Sequence, residues 1–397
     1  LDDETQLDRR NTAIVSRNFG NFNFIGGFQY FQELDKSDDA LNQLPYLRFD
    51  SLRFELWKSL YLQWYSSYNN YWRKNNDRGQ VLDLLPTLSY PYKLRQYLNF
   101  DTSLGLAQTF FQVDNKQSSQ VADYASRTVP NFRLDLSSDV QRIFDVSSDK
   151  LQKVKHSIRP QVVYNYVPEV TQDDLPNFLS PITKINTVTY YLTNILTAKS
   201  LMGKGKEGEE LHSYLDFLYF KLYQTYDINE ATRDEAAPRI NTPAGGLSSI
   251  GTTGTTGVVG TPGERRPFSD IIGELEIVFG PNLRLRSFAG WSPYDNLIQT
   301  QTHTLNLSAG GSWVNLEYQT TGGDQFRQLN SSFYWKISPS WTANFLNKWA
   351  IDQNQSYETT LGLAYNHQCW GIKAHFTETP DDKKFLVSFS LKGLGEF

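Results

Sequence analysis

Five histidines, His156, His212, His303, His367 and His375, are the side chains of this chain best suited to move a proton near neutral pH. None stands in an H-E-x-x-H pair, and no other His spacing puts two ligands on one helix face. No G-x-S-x-G elbow is present. Serines, histidines and aspartates on separate strands meet or miss according to strand register, which spacing alone does not give. Cys369, the only cysteine, follows no zinc or redox spacing and reads either as a free structural thiol or as half of a bridge to a cysteine outside these 397 residues. The sequence therefore offers no catalytic residue, no metal site and no cofactor. The remaining charged constellation is Glu274, Glu276, Arg284 and Arg286, flanking Gly280-Pro281. On a hairpin with Leu275, Ile277, Leu283 and Leu285 on one face, these four charges share the other face. An odd-length loop is needed to match the faces. With Ile277 opposite Leu283, Glu276 lies across from Arg284 and Glu274 across from Arg286, a two-rung ladder worth about 0.2–1 kcal/mol per rung.

The elements that must position such residues are strands. Phe385, Val387, Phe389 and Leu391 alternate with Leu386, Ser388 and Ser390; Leu305, Leu307 and Ala309 alternate with Thr304, Asn306 and Ser308. About twenty such segments recur, many longer than the five or six residues usual in soluble proteins. The 397 residues carry 25 Phe, 23 Tyr and 9 Trp, too many aromatics for a disordered chain. Mean hydropathy is only −0.50, and no apolar run of about 18 residues occurs, which excludes a helical membrane protein. A net charge of −5 argues against a nucleic-acid binder. Low hydropathy with long half-apolar strands is the signature of an all-β, transmembrane antiparallel β-barrel of the outer-membrane type.

From Pro267 onward the connections sort into a short set (280–282, 309–312, 338–340, 366–369) and a longer or more polar set (292–297, 320–325, 351–356, 379–384). Outer-membrane barrels have short periplasmic turns and longer outside loops, so the short set is expected at the periplasm. Residues 229–267 are Gly/Thr/Pro-rich without period and read as a flexible extracellular loop.

Several strings resemble one family. Gln43-Leu44-Pro45-Tyr46-Leu47, Val129-Pro130-Asn131-Phe132, Arg159-Pro160-Gln161 with Tyr164-Asn165-Tyr166-Val167-Pro168, Gln172-Asp173-Asp174, Asn177-Phe178 and the stretch Asn186 to Thr197 are similar to motifs of the LptD family. So are Cys369-Trp370 and Leu391-Lys392-Gly393-Leu394-Gly395, although Gln368 stands where that family has a second cysteine. The Asp-Arg that usually precedes the 186–197 strand is also missing.

What the resemblance implies is a part of the LptD barrel, the outer-membrane component of lipopolysaccharide assembly in Gram-negative bacteria. Residues 1–397 would form the barrel domain. Family barrels have about 26 strands. The expectation is therefore a piece without the periplasmic jelly roll and about six strands, or a smaller barrel. Lipopolysaccharide would pass a polar lumen and leave sideways between the first and last strands. An LptE-like lipoprotein would plug the lumen, and an LptA-like periplasmic bridge would dock on the jelly roll. The Lys383–Leu391 strand becomes one lip of the lateral gate, with Phe385, Val387, Phe389 and Leu391 toward lipid and Ser388 and Ser390 toward the lumen. Glu274, Glu276, Arg284 and Arg286 become lumen charges, and Cys369 pairs with a jelly-roll cysteine. The alternatives are a passive porin, a membrane-embedded lipid-modifying enzyme and a soluble carbohydrate binder. A continuous apolar band with aromatic girdles on one sheet face separates the membrane readings from the last.

Overall fold

The computed structural model describes residues 8–33, 40–115, 122–146, 148, 151–172, 175–204, 209–235, 239–240, 259–260, 263–322, 326–391 and 395–396. In chain order the strands are β1 (Asp8–Phe19), β2 (Phe22–Glu33), β3 (Asn42–Ser51), β4 (Phe54–Trp57), β5 (Leu60–Gln63), β6 (Tyr65–Trp72), β7 (Arg78–Leu84), β8 (Thr87–Leu94), β9 (Leu98–Asn115), β10 (Tyr124–Ser137), β11 (Val140–Asp145), β12 (Leu151–Val167), β13 (Ile185–Lys204) and β14 (Glu210–Asp227). Then come the short helix α1 (Ile228–Thr232), β15 (Arg239–Ile240), β16 (Val259–Gly260), β17 (Ile271–Phe279), β18 (Leu283–Ser292), β19 (Leu297–Ala309), β20 (Ser312–Thr321), β21 (Phe326–Lys336), β22 (Trp341–Ala350), β23 (Gln355–Asn366), β24 (Trp370–Glu378), β25 (Lys383–Leu391) and β26 (Gly395–Glu396). The fold is all-β and antiparallel. Among the described residues no helix is long and apolar enough to cross a membrane. The chain divides into two compact units. The first holds Leu1–Ser138, Gln161–Thr189 and Thr225–Pro267; the second holds Asp139–Pro160, Tyr190–Gln224 and Phe268–Phe397.

In the first unit the strands form a meander of tall hairpins. β5 and β6 pair with β8 and β7 in one register, Gln63↔Thr87 and Ser66↔Leu84. They are one tall hairpin interrupted at Trp64 and at Leu85-Pro86, where proline has no N–H to give the ladder. β9 runs 18 residues and takes β8 along its first half and β7 along its second. A bulge at Leu44-Pro45 shifts β3 against β6, and Asn70 Nδ2 caps the freed Leu44 carbonyl at 2.6 Å.

This unit also holds a packed interior. The connection after β12, residues 168–184, lies on one face of the strands. Phe178 joins Val81, Phe111 and Val113 and stacks on Tyr71 with ring centroids 5.3 Å apart. Val170 and Ile182 pack against Ala107, Val129, Val167 and Ile185. Gln172 holds the segment's shape by donating to the Ile182 carbonyl at 2.9 Å and accepting from the Ile182 N–H at 2.8 Å. Asn177 N–H donates to Asp77 Oδ2 at 3.0 Å.

The second unit is a two-faced sheet from β17 to β25. One row of directly paired residues reads Phe279, Leu283, Leu307, Val314, Phe333, Phe345, Leu361, Phe376, Phe385. Period-two alternation puts these on one face, and much of that face is exposed. Toward one end of the same face, Trp341, Tyr365, Trp370 and Phe389 form an aromatic chain with successive centroids 4.9, 5.3 and 6.0 Å apart. This is the apolar band with an aromatic border that the membrane reading requires.

Two expectations about connections change. In the second unit the first set of turns spans 280–282, 310–311, 337–340 and 367–369, and the second set spans 293–296, 322–325, 351–354 and 379–382. The length difference is small here, because strand pairing runs almost to the ends of the supposedly long loops. Positive φ is supplied by Gly280, Gly310 and Gly311 (+70°, +59° and +84°) in the first set and by Asn296, Asn354 and Gly322 in the second. Most of 229–267 lies outside the described residues, but its described start is not structureless. Asp227 caps α1 by accepting from Glu230 N–H at 3.1 Å. Glu230 is buried and binds Arg233 Nε at 2.7 Å, and its Oε1 accepts from Arg266 N–H at 3.0 Å. Together they clip the two ends of the connection together.

Candidate functional site

Two polar rows stand out, one per unit. In the first unit Ser67, Asp83, Thr109 and Arg127 are directly paired across β6, β7, β9 and β10. Thr109 Oγ1 donates to Asp83 Oδ1 at 2.7 Å and Ser67 Oγ to Oδ2 at 3.4 Å. Arg127 Nη1 donates to Gln172 Oε1 at 2.9 Å and to the Ser180 carbonyl at 3.0 Å. The segment 168–184 thus closes over this row and takes Arg127 Nη1, while Arg127 Nε is buried without a hydrogen-bond partner among the described residues. The motif residues Gln172, Asn177 and Phe178 prove to be its anchors.

In the second unit a longer row runs Tyr219, Glu276, Arg286, Thr304, Glu317, Asn330, Lys348, Glu358, from β14 to β23. Each residue alternates with a member of the apolar face, so strand periodicity alone puts this row on the opposite side. Glu317 accepts from Asn330 Nδ2 at 3.0 Å and Thr304 Oγ1 at 3.5 Å. Lys348 meets Glu358 at 2.6 Å. Beyond the row Thr360 and Thr377 share a 3.1 Å hydrogen bond. Gly362 is required where the row's neighbour crosses Asn344 and His375, since a Cβ there would overlap both side chains. The wall is polar, of mixed charge and almost wholly paired. Such a wall can conduct a hydrated, charged solute without holding it fast.

The four charges predicted as a ladder lie in this wall, in a different register. Ile277 pairs with Leu285, not Leu283, because the strands stay paired down to Phe279↔Leu283 and close with the three residues Gly280-Pro281-Asn282. Both registers keep the faces matched, so face matching could not choose between them. Glu276 is therefore opposite Arg286, at 3.1 Å, and reaches diagonally to Arg284 at 3.2 Å. Glu274 does not meet Arg286; it lies opposite Lys221 of β14, with Nζ 3.8 Å away.

On β25, Phe385, Val387, Phe389 and Leu391 pair with Phe376, Ala374, Ile372 and Trp370, continuing the apolar face; Ser388 and Ser390 take the alternate positions. Phe385 is 71% exposed. Cys369 is exposed at the β23–β24 turn and is not a buried structural thiol; the neighbouring Trp370 packs on Tyr365, His367 and Phe389.

Register also brings together a pair that spacing hid. On the apolar face the Ser287 hydroxyl and His303 Nδ1 share a hydrogen bond, and His303 Nε2 lies 3.1 Å from Gln301 Oε1. The order is that of a nucleophile, a base and an orienting group. The β18–β19 pairing through this level uses the backbone N–H groups that an oxyanion would need, so the arrangement satisfies polar groups within the apolar face. Among the described residues no group of three His, Cys, Asp or Glu could hold a metal ion.

The family model for LptD, described as LPS transport system D, matches residues 1–341. The chain belongs to the LptD family. Curated LptD relatives agree. The LPS-assembly protein LptD of Methylococcus capsulatus is 22% identical over 91% of this chain, and that of Hahella chejuensis is 23% identical over 95%. The chain spans 38% and 47% of those two relatives, less than half of each. Among solved structures, the siderophore receptor PirA from Pseudomonas aeruginosa covers 98% of this chain at 11% identity with a TM-score of 0.39. As an LptD-family chain it is an outer-membrane β-barrel protein of a Gram-negative bacterium, in a family of transport and assembly proteins.

Proposed function

We propose that this chain belongs to the machine that inserts lipopolysaccharide into the outer leaflet of the outer membrane, and that it works by translocation without catalysis. The observation that carries this reading is the two-faced sheet of the second unit. An apolar row from Phe279 to Phe385 suits acyl chains, and a polar row from Glu276 to Glu358 suits a charged sugar head. In this reading the polar wall lines the lumen, the residues 1–397 are part of a larger barrel, and 229–267 is an extracellular loop. The Lys383–Leu391 strand forms one lip of a lateral seam, since a wall with every backbone group paired needs one weak join to release a lipid sideways. Cys369, exposed on a turn, bonds a cysteine of a periplasmic jelly roll in the full-length protein, in a compartment where disulfides persist. An LptE-like lipoprotein fills the lumen and an LptA-like bridge delivers lipopolysaccharide from the periplasm.

Depletion of the full-length protein in its host tests the reading. Newly made lipopolysaccharide should stop reaching the cell surface, as read by surface labelling, while other outer-membrane proteins still arrive. Normal surface display under depletion would refute the function. Disulfide locking of β25 to the first strand of the full-length barrel should also block display, and export through a locked seam would remove the gate. Free alkylation of Cys369 in unreduced full-length protein would remove the bridge.

A further inference from the structure

Glu276 pairs with two arginines through one carboxylate. Arg284 Nε binds its Oε1 at 3.2 Å and Arg286 Nε its Oε2 at 3.1 Å. The two guanidiniums stand two residues apart on one face of β18, about half exposed, at 47% and 56%. Among the described residues neither guanidinium has a partner besides Glu276. Two half-exposed guanidinium forks side by side, with one carboxylate between them and so a surplus of positive charge, match the oxygens of a phosphate. Beside them on the same face is an aromatic platform. Tyr219 lies directly opposite Glu276, and Tyr223 and Tyr191 lie 5.5 Å apart by ring centroid. Lys221 Nζ rests 4.8 Å from the Tyr223 ring and 5.3 Å from the Tyr191 ring, tethered to Glu274. Two strand spacings, about 10 Å, separate the backbones of Tyr219 and Arg286. Glu276 stands between them in the same row, so a sugar ring that reaches the arginine pair lies over Glu276 with the Tyr219 ring at its edge.

We infer that this corner of the polar wall is a binding station for a phosphorylated saccharide. Arg284 and Arg286 take the phosphate, Tyr219 takes the edge of the adjoining ring, and Glu276 sets how tightly the phosphate is held by competing for the guanidiniums. The inference rests on the proposed passage of a phosphate-bearing sugar head along this wall and names where it pauses. The weak hold of a shared carboxylate suits a stop on a path, because a solute must also leave.

The test is titration calorimetry on the full-length protein in a detergent without sugar, with maltose 1-phosphate, maltose and inorganic phosphate as probes. Maltose 1-phosphate should bind about tenfold more tightly than either of the others. The double variant Arg284→Ala with Arg286→Ala should bring it down to the level of maltose. Tyr219→Ala should weaken the two sugars and leave inorganic phosphate unchanged. Glu276→Gln should tighten maltose 1-phosphate several-fold, a gain that misfolding does not produce. Equal binding of maltose 1-phosphate and inorganic phosphate would overturn the saccharide station, and an unchanged affinity in Glu276→Gln would overturn the role of the shared carboxylate. Surface display of lipopolysaccharide in the same strains keeps the two claims apart. A parent protein that displays lipopolysaccharide but binds none of the probes overturns the station alone. Display that does not depend on the protein overturns the reading beneath it.

Discussion

The two units use the same device, a row of polar side chains across antiparallel strands, and finish it differently. In the first, the Ser67–Asp83–Thr109–Arg127 row is covered by 168–184, and its arginine is spent on Gln172 and the Ser180 carbonyl. In the second, the Glu276–Glu358 row is left open, and its charges pair mainly with one another across strands. A covered row is bound into the packing, so a group that loses its partner there has no water to replace it and each loss is felt. An open row keeps water as an alternative partner, and single changes cost little stability while altering what can bind. On the proposed function, the covered row of the first unit serves stability and the open row of the second serves passage of the solute.

Substitutions in the two units should separate accordingly. Phe178→Ala removes the ring that joins Val81, Phe111 and Val113 and should destabilise the protein by about 3 kcal/mol in thermal unfolding. Phe333→Ala, on the exposed apolar face, should cost about 1 kcal/mol or less in the same assay. Comparable losses would erase the distinction. Arg127→Ala should cost about 2 kcal/mol, because Gln172 and Ser180 lose their donor and Asp83 loses the neighbouring positive charge. Glu317→Ala breaks bonds from Thr304 and Asn330 in the open row and should cost less, about 0.5 kcal/mol.

The smallest effect is a pH dependence at the β21–β22 side of the second unit. In the 351–354 turn, Asp352 accepts from Arg327 Nε at 2.7 Å and from the Arg327 N–H. The hydrogen bond from the Arg327 side chain holds its carboxyl below the ordinary carboxylate range. A depressed folded pKa contributes stability above the unfolded value of about 3.9 and loses it as pH falls through the folded value. Asp352→Asn should thus melt slightly below the parent at neutral pH, and the two curves should converge in acid below about pH 4. A gap that persists unchanged into acid would assign the loss to something other than this charge.

Much of this was legible from alternation. The apolar face of β25 and the shared face of Glu274, Glu276, Arg284 and Arg286 follow from period two, which holds whatever the register. Register itself was not legible, since hairpin loops of three and five residues both keep Leu and Ile on one side and only the pairing of Phe279 with Leu283 decides between them. The same blindness hid Ser287 and His303, sixteen residues apart and adjacent only through β18–β19 pairing. The segment 168–184 carried recognisable motif residues, but its apolar residues have no period. Its docking onto β6, β7, β9 and β10 is a tertiary choice that sequence spacing does not encode. Turn length sorts the connections of the second unit only weakly because strand pairing runs into the longer loops.

The most direct measurement exploits neighbours that point opposite ways. A photo-crosslinking amino acid is placed at Thr304, in the polar row, and at Leu305, on the apolar face, in full-length protein within actively exporting cells. Crosslinks from Thr304 to the saccharide part of lipopolysaccharide, with Leu305 capturing only acyl-chain material, are the result the two-faced wall predicts. Saccharide adducts from Leu305 with none from Thr304 would contradict it.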